Sequence, residues 1–340
     1  MRITDPSNNA SLCDQLADES RKSVYDPDSK KFLLANISAS DQITDLSTPA
    51  NCDGFGRVRH FKRFISDDWC LDPLPIDPAL RCLGHMPADK INAQVLQIAS
   101  CNLNCWYCFV PDALKCADPN VSDWFSADEI VQIISRDSEK DVTVIDLSGG
   151  NPELVPEWVV DMMESLEKYD LKNRYYLWSD DTLTTDFTFR YLTKDQLKYM
   201  SGYKNYGRVC CFKGFDEHSF EYNSRMPGSI YKKQFDNFSR LLDLGLDLYG
   251  YVTFTTDDLS DVGEKMSRFV DKLKKIHELL PLRVVPLKIY PFTPTRARLT
   301  ESYLSSMNNQ VNALVAWEDT LRRNYTVDML RKNISEISMR

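Results

Sequence analysis

Ala93-Gln-Val-Leu-Gln-Ile-Ala-Ser100-Cys101-Asn-Leu-Asn-Cys105-Trp-Tyr-Cys108 is the stretch from which the architecture follows. Its first half is an apolar run of strand length, and its second half carries three cysteines spaced C-x3-C-x2-C. A strand that runs straight into a ligand-rich loop belongs to an α/β protein, where chemistry gathers at the carboxyl ends of parallel strands. The segments downstream alternate accordingly. Ser126-Ala-Asp-Glu129 is a capping box opening a helix with Ile130, Ile133 and Ile134 on one side. Residues 142–150 (VTVIDLSGG) are a β-branched strand ending in glycines, and residues 155–169 are a helix. Strand character returns at 174–181 (RYYLWSDD), 208–215 (RVCCFKGF), 248–256 (LYGYVTFTT) and 282–292 (LRVVPLKIYPF). Helices fall between them, at 193–200, at 231–247 with Phe235, Phe238, Leu241 and Leu242 at core spacing and Gly245 as the stop, and at 261–281. Six strands alternating with helices predict a parallel sheet with right-handed crossovers. Six units fall short of the eight that close a full barrel. The expected fold is α/β, a partial (β/α)6 TIM-like barrel over residues 89–293.

The flanks differ. Residues 1–88 are rich in turn signals such as DPSNN, DPDSKK and LSTPANCDGFG, which predicts an irregular N-terminal accessory region with a mobile start. Within it, HFKRFISDDW (60–69) suits a strand or a short helix equally. Residues 294–340 predict a helical C-terminal extension. The 340 residues carry a net charge of −9, which argues against broad binding to nucleic acid or anionic membranes. No apolar run approaches the roughly 18 residues of a membrane span. The first residues lack the basic and apolar segments of a secretory signal, so a reducing, cytoplasmic setting is expected.

In that setting ten cysteines point away from disulfides and toward metal. Cys101, Cys105 and Cys108 can converge if the loop wraps around one site. Three thiolates suit a [4Fe–4S] cluster with one iron left open to an exogenous ligand, since an ordinary cluster takes four. Zinc completed by a histidine is the competitor, but no histidine follows Cys108 before His218. Three unrelated buried cysteines are the remaining option. Cys52, Cys70, Cys82 and Cys116 offer a possible second metal site, though their separations match no compact motif and buried unpaired cysteine is common. His60, His85, His218 and His277 show no paired spacing.

The triad, with aromatic Tyr107 before its last cysteine, resembles the signature of the radical S-adenosylmethionine (SAM) superfamily. Gly149-Gly150-Asn151-Pro152-Glu153, one βα unit later, resembles that family's glycine-rich motif, with Asn151 standing where the family has an acidic residue. The resemblance covers roughly residues 92–292. It implies that Cys101, Cys105 and Cys108 hold the cluster, that residues 149–153 contact the amino group of SAM, and that SAM chelates the open iron. Reductive cleavage would then give a 5′-deoxyadenosyl radical that abstracts hydrogen from a small-molecule or peptide substrate. A reductant such as flavodoxin or ferredoxin would supply the electron.

Further positions follow from strand ends. Alternation puts Cys211 and Lys213 on one face, so both are candidate catalytic residues, and Lys213 a candidate partner of the SAM carboxylate. The bland alternative for Lys213 is a strand-end lysine reaching solvent. Residues 211–228 are similar to the fourth-strand region of the pyruvate formate-lyase activating enzyme group, with Cys211 in place of an aspartate. Asp180 and Asp181 are candidates for the SAM ribose, or for a helix cap. Lys288 and Tyr290 share a face and can line a substrate cavity, or an exposed edge. Three functions compete: a radical enzyme on a small molecule or peptide, an activase that places a glycyl radical on a protein partner, and a non-catalytic iron–sulfur or zinc protein. The motif at 149–153 argues against the last, and the long flanks against open access for a protein partner.

Overall fold

A computed structural model of the protein describes residues 6–137 and 141–339. In chain order its strands are β1 (Tyr25–Asp26), β2 (Lys31–Ala35), β3 (Gly56–Lys62), β4 (Lys90–Gln97), β5 (Ser122–Phe125), β6 (Val142–Ser148), β7 (Tyr176–Asp181), β8 (Tyr206–Phe212), β9 (Leu248–Thr253) and β10 (Val284–Leu287). The helices are α1 (Pro6–Val24), α2 (Ile76–Leu83), α3 (Ala127–Asp137), α4 (Glu157–Lys168), α5 (Phe187–Tyr191), α6 (Lys194–Gly202), α7 (Glu217–Ser224), α8 (Tyr231–Asp243), α9 (Val262–Ile276), α10 (Thr293–Arg296), α11 (Glu301–Asn324) and α12 (Val327–Leu330). Seven strands form one curled sheet in the order β10-β9-β8-β7-β6-β4-β3. All its pairings are parallel except β3 with β4. This is the partial TIM-like barrel that the alternation predicts, with one strand more. Among the described residues no helix is long and apolar enough to cross a membrane.

The two faces of the sheet do different work. Outward side chains pack under the helices: Phe212 of β8 meets Phe235 and Phe238 of α8 and Phe269 of α9, with ring centroids 5.2, 5.8 and 5.8 Å away. Inward side chains such as Ile91, Val144, Tyr176 and Tyr249 fill the lower half of the barrel against Ile76, Ala79 and Leu80 of α2, which plugs its floor. The reciprocal Ser126–Glu129 capping bonds form, and Gly245 ends the α8 segment at φ +89°. The sixth predicted strand is shorter than expected: β10 stops at Leu287, and residues 288–292 leave the sheet.

Residues 6–88 hold more regular structure than the irregular region expected. Residues 6–24 form α1, held near its end by buried Arg21, which donates to Leu154 O and to Glu157 at 2.9 Å and lies 3.8 Å from the Tyr191 ring, while residues 1–5 of the start expected to be mobile lie outside the described residues. β1 and β2 join β5 in a second, antiparallel sheet. The undecided HFKRF segment supplies the end of β3, the seventh strand of the barrel sheet. β3 escapes sequence patterning because its inward positions hold Arg57, Arg59 and Phe61, so its buried face does not read as apolar.

The same region closes the side of the half-barrel, between edge strands β3 and β10. Asp45 accepts hydrogen bonds from Thr293 N at 2.8 Å and Thr293 Oγ1 at 3.1 Å. Trp69 Nε1 donates to Pro286 O at 3.0 Å, and Lys288 Nζ donates to Ser66 Oγ at 2.8 Å. Removing the first latch with Asp45→Ala is expected to cost about 1–2 kcal/mol for two lost bonds. Hydrogen exchange should speed up at the Thr293 amide, read by mass spectrometry of peptides spanning 288–296, and stay unchanged in α4.

Candidate active site

Above the apolar floor, the carboxyl ends of the parallel strands surround a cavity of about 340 Å³. Cys101, Cys105 and Cys108 line it from the loop after β4, Gly149 and Gly150 from the loop after β6, Asp180 from β7, and Cys211 and Lys213 from β8. The cysteine loop is held from every side. Trp106 is fully buried and stacks on Tyr303 of α11, with ring centroids 4.4 Å apart and planes 4° from parallel. Its ring nitrogen donates to Asn223 Oδ1 at 3.2 Å. Tyr107 OH shares a 3.0 Å hydrogen bond with Thr253 Oγ1 on β9. Arg298 Nη1 donates to Cys108 O at 2.6 Å. The C-terminal helices thus fasten the loop that presents the thiols.

The loop after β6 is pressed onto the same site. Gly149 and Gly150 have φ of +64° and +59°, in the left-handed region. A Cβ on Gly150 would collide with the backbone oxygens of Ser100 and Ile98, immediately before the first cysteine. Asn151 N donates to Ser100 O at 2.8 Å, and its side-chain amide donates to Asn102 Oδ1 at 2.8 Å. The two loops form one unit.

The ionisable groups divide into two sets. On the cavity side, burial pushes the Cys101 thiol up to about 12, with nearby Cys105 adding to the shift. Burial also raises Cys105, against the pull of Lys213. Burial disfavours the Lys213 ammonium, yet Tyr107, Cys211, Cys105 and Cys101 around it hold it well above its ordinary value. Asp180 accepts from Ser148 Oγ at 2.6 Å. Behind the wall, fully buried Arg208 reaches Glu153 at 3.0 Å and Asp181 at 3.1 Å. Thr188 Oγ1 donates to Glu153 at 3.0 Å. Burial raises Glu153 to about 7, opposed by the Arg208 charge.

The structure therefore brings together Cys101, Cys105, Cys108, Tyr107, Gly149, Gly150, Pro152, Asp180, Asp181, Cys211 and Lys213 on one cavity. Lys288 and Tyr290 line it too. The side chains of Asn151 and Glu153 do not: Asn151 secures the cysteine loop, and Glu153 faces Arg208. Asp180 and Asp181, inseparable in sequence, part here, since Asp181 pairs with Arg208 and Asp180 does not. Cys52, Cys70, Cys82 and Cys116 have different neighbours: Cys52 feels Asp137 and Arg136, Cys70 feels Asp72 and Glu318, Cys82 donates to Lys204 O and Cys116 to Ala113 O. Among the described residues no three His, Cys, Asp or Glu side chains are grouped so as to hold a single metal ion. Sequence reasoning missed Arg59, Trp69 and Asp72, which line the cavity from the N-terminal region. Asp72 accepts from Tyr251 OH at 2.9 Å, and burial lifts it to about 6. No pattern in the sequence marked any of them.

Comparison with known proteins gives one family model, the radical SAM superfamily, over residues 97–269. A 69-residue stretch is 35% identical to 7-carboxy-7-deazaguanine synthase of Methanothermobacter thermautotrophicus, covering 20% of this chain and 27% of that protein. Among solved structures, anSMEcpe with bound AdoMet matches at 16% identity and a TM-score of 0.44, over 66% of this chain and 57% of that one. SuiB of Streptococcus suis bound to precursor peptide SuiA matches at 13% identity and a TM-score of 0.42, over 66% and 46%. The chain thus spans about a quarter of the curated relative and about half of these two structures.

Two variants test the local architecture. Arg208→Met leaves Glu153 and Asp181 buried without a counter-charge, and should cost about 3–5 kcal/mol in chemical denaturation. Gly150→Ala should weaken SAM binding about tenfold or more, by calorimetry, through the strain of a left-handed site and the clash with β4. Both the thiol loop and the glycine loop lie inside residues 97–269, just over half of the chain, and on that ground this protein belongs to the radical SAM superfamily and is an enzyme.

Proposed function

We propose that this enzyme holds a [4Fe–4S] cluster on Cys101, Cys105 and Cys108, cleaves SAM reductively, and acts on a small molecule or a single peptide side chain enclosed in the half-barrel. The observation that carries this reading is the convergence of three thiols, the glycine cradle and Lys213 on one cavity whose side is closed by residues 41–74. The residues fit the cofactors. Three thiols on one cavity, with no histidine in its lining to complete a zinc site, suit a cluster with one open iron better than a lone zinc ion. Cys101, Cys105 and Cys108 would hold the cluster, which, reduced by a donor such as flavodoxin or ferredoxin, would supply one electron for cleavage of the SAM sulfonium C–S bond into methionine and a 5′-deoxyadenosyl radical.

The chain's own groups would bind, orient and exclude water. Lys213, a cation among thiols, would neutralise thiolates and meet the SAM carboxylate, a role supported by its place on the cavity. Asp180, at the cavity wall with one oxygen engaged by Ser148, has an oxygen left for a ribose hydroxyl. Cys211 lies on the same strand face as Lys213 and contributes to the substrate side of the wall. Trp69, Tyr251 and Ile289 make much of the remaining lining apolar, which shields a reactive species from solvent. A volume of about 340 Å³ lies at the low end for small-molecule sites, roughly 300–1,000 Å³. That size and the lateral closure favour a small substrate over the glycyl-radical loop of a protein partner.

The test is 5′-deoxyadenosine formation after anaerobic reconstitution and reduction. The wild type should form it and the Cys101→Ala/Cys105→Ala/Cys108→Ala variant should not. A cluster-loaded wild type that neither forms product nor binds SAM would overturn the reading. Lys213→Ala should weaken SAM binding by about tenfold or more, as expected for loss of one partner of a buried charge pair.

A further inference from the structure

β3 brings two arginines to the barrel where its fold would ordinarily bury apolar side chains. Arg57 and Arg59 alternate with Val58 and point inward with Phe61. Arg59 lines both the main cavity and a side recess of about 120 Å³, and Arg57 lines the recess. Arg57 is only 8% exposed, and its Nε has no hydrogen-bond partner. Among the described residues it makes no ion pair; its guanidinium lies 5.4 Å from the Phe109 ring. Burial, with the neighbouring Arg59 charge, presses its pKa down to about 10.

The anions nearby do not satisfy this pair. Asp45 faces the recess, but its two oxygens are engaged by Thr293 N and Oγ1. Asp146 stands 3.9 Å from Arg59, yet both of its oxygens lack a hydrogen bond. Burial, with Asp180 beside it, raises the Asp146 carboxyl. One oxygen of Asp180 accepts from Ser148, and among the described residues Asp180 forms an ion pair with neither arginine. Arg57 thus keeps unengaged donors in a confined space, with no ion pair of its own among the described residues. A buried guanidinium without a partner costs several kcal/mol. The planar fork of arginine matches the paired oxygens of a carboxylate or phosphate.

We infer that Arg57 and Arg59 anchor an oxyanion of the substrate, so that the substrate class is a small organic acid or phosphate ester held by its anionic end beside the main cavity. This rests on the proposed function for the meaning of "substrate", but the site itself does not. The carboxylate of SAM shares the same chemistry. It has its own cation in Lys213, on β8 beside the thiols, whereas Arg57 and Arg59 lie on β3 beyond β4.

The experiment titrates malonate and inorganic phosphate, as the carboxylate and phosphate probes, into the anaerobically reconstituted full-length protein by calorimetry. It is run in chloride buffer of low ionic strength, with and without saturating SAM. At least one probe should bind the wild type with an affinity that SAM does not weaken. Arg57→Gln and Arg59→Gln should each lower that affinity at least tenfold, while Arg57→Lys, which keeps charge and loses the fork, should fall between. Arg59, whose side chain is 33% exposed, carries the test if Arg57→Gln unfolds. Absence of binding to the wild type, or unchanged binding in the Gln variants, overturns the inference. Displacement of the probe by SAM also overturns it and assigns the arginines to SAM. Wild-type 5′-deoxyadenosine formation, measured separately, decides the radical reading, so either conclusion can fail alone.

Discussion

The backbone after β6 lies so close to the end of β4 that a side chain at Gly150 would strike two carbonyl oxygens. Most of the site depends on this contact. It joins the loop that carries the thiols to the loop that would cradle SAM, and the hydrogen bond from Asn151 N to Ser100 O fixes their register. Glycine is the one residue that permits it, because the position also needs a left-handed backbone. The contact is braced from behind. Glu153, two residues past the asparagine, is drawn into the protein by Arg208, which also holds Asp181 at the end of β7. The ends of β6 and β7 are therefore tied by one buried guanidinium that reaches them from β8.

A second constraint comes from the incomplete barrel. Seven strands leave a side open between β3 and β10, and an enzyme that generates a reactive species needs that side closed. Here the closure is made by the N-terminal region, through Asp45 on Thr293 and Trp69 on Pro286, while the C-terminal helices close over the thiol loop through Tyr303 and Arg298. Both flanks of the chain thus build the walls of the site. The buried arginines of β3 belong to the same wall, which is why the region that encloses the cavity also bears on what enters it.

Much of this was legible beforehand, for physical reasons that can be named. The thiol spacing and the glycine pair are local: their chemistry depends on residues within a few positions, so sequence order preserves it. The parallel strands are buried on both faces and stand out as apolar runs. Other features were not local. β3 pairs antiparallel at an edge and places arginines inward, so neither an apolar run nor a polar–apolar alternation marks it. Glu153 resembles part of the SAM motif by position, yet its partner Arg208 lies 55 residues away, and only the packing of β8 against β7 turns it inward.

The sequence by itself determined the half-barrel, the strand-end location of the chemistry, the three thiols and the glycine cradle, because periodicity and short motifs encode them directly. Only the folded chain settles that Arg208 pairs with Glu153 and Asp181 and not with Asp180, and that residues 41–74 close the side of the barrel. Those outcomes depend on side chains distant in sequence meeting in space, where burial makes an unpaired charge costly and so selects the partner.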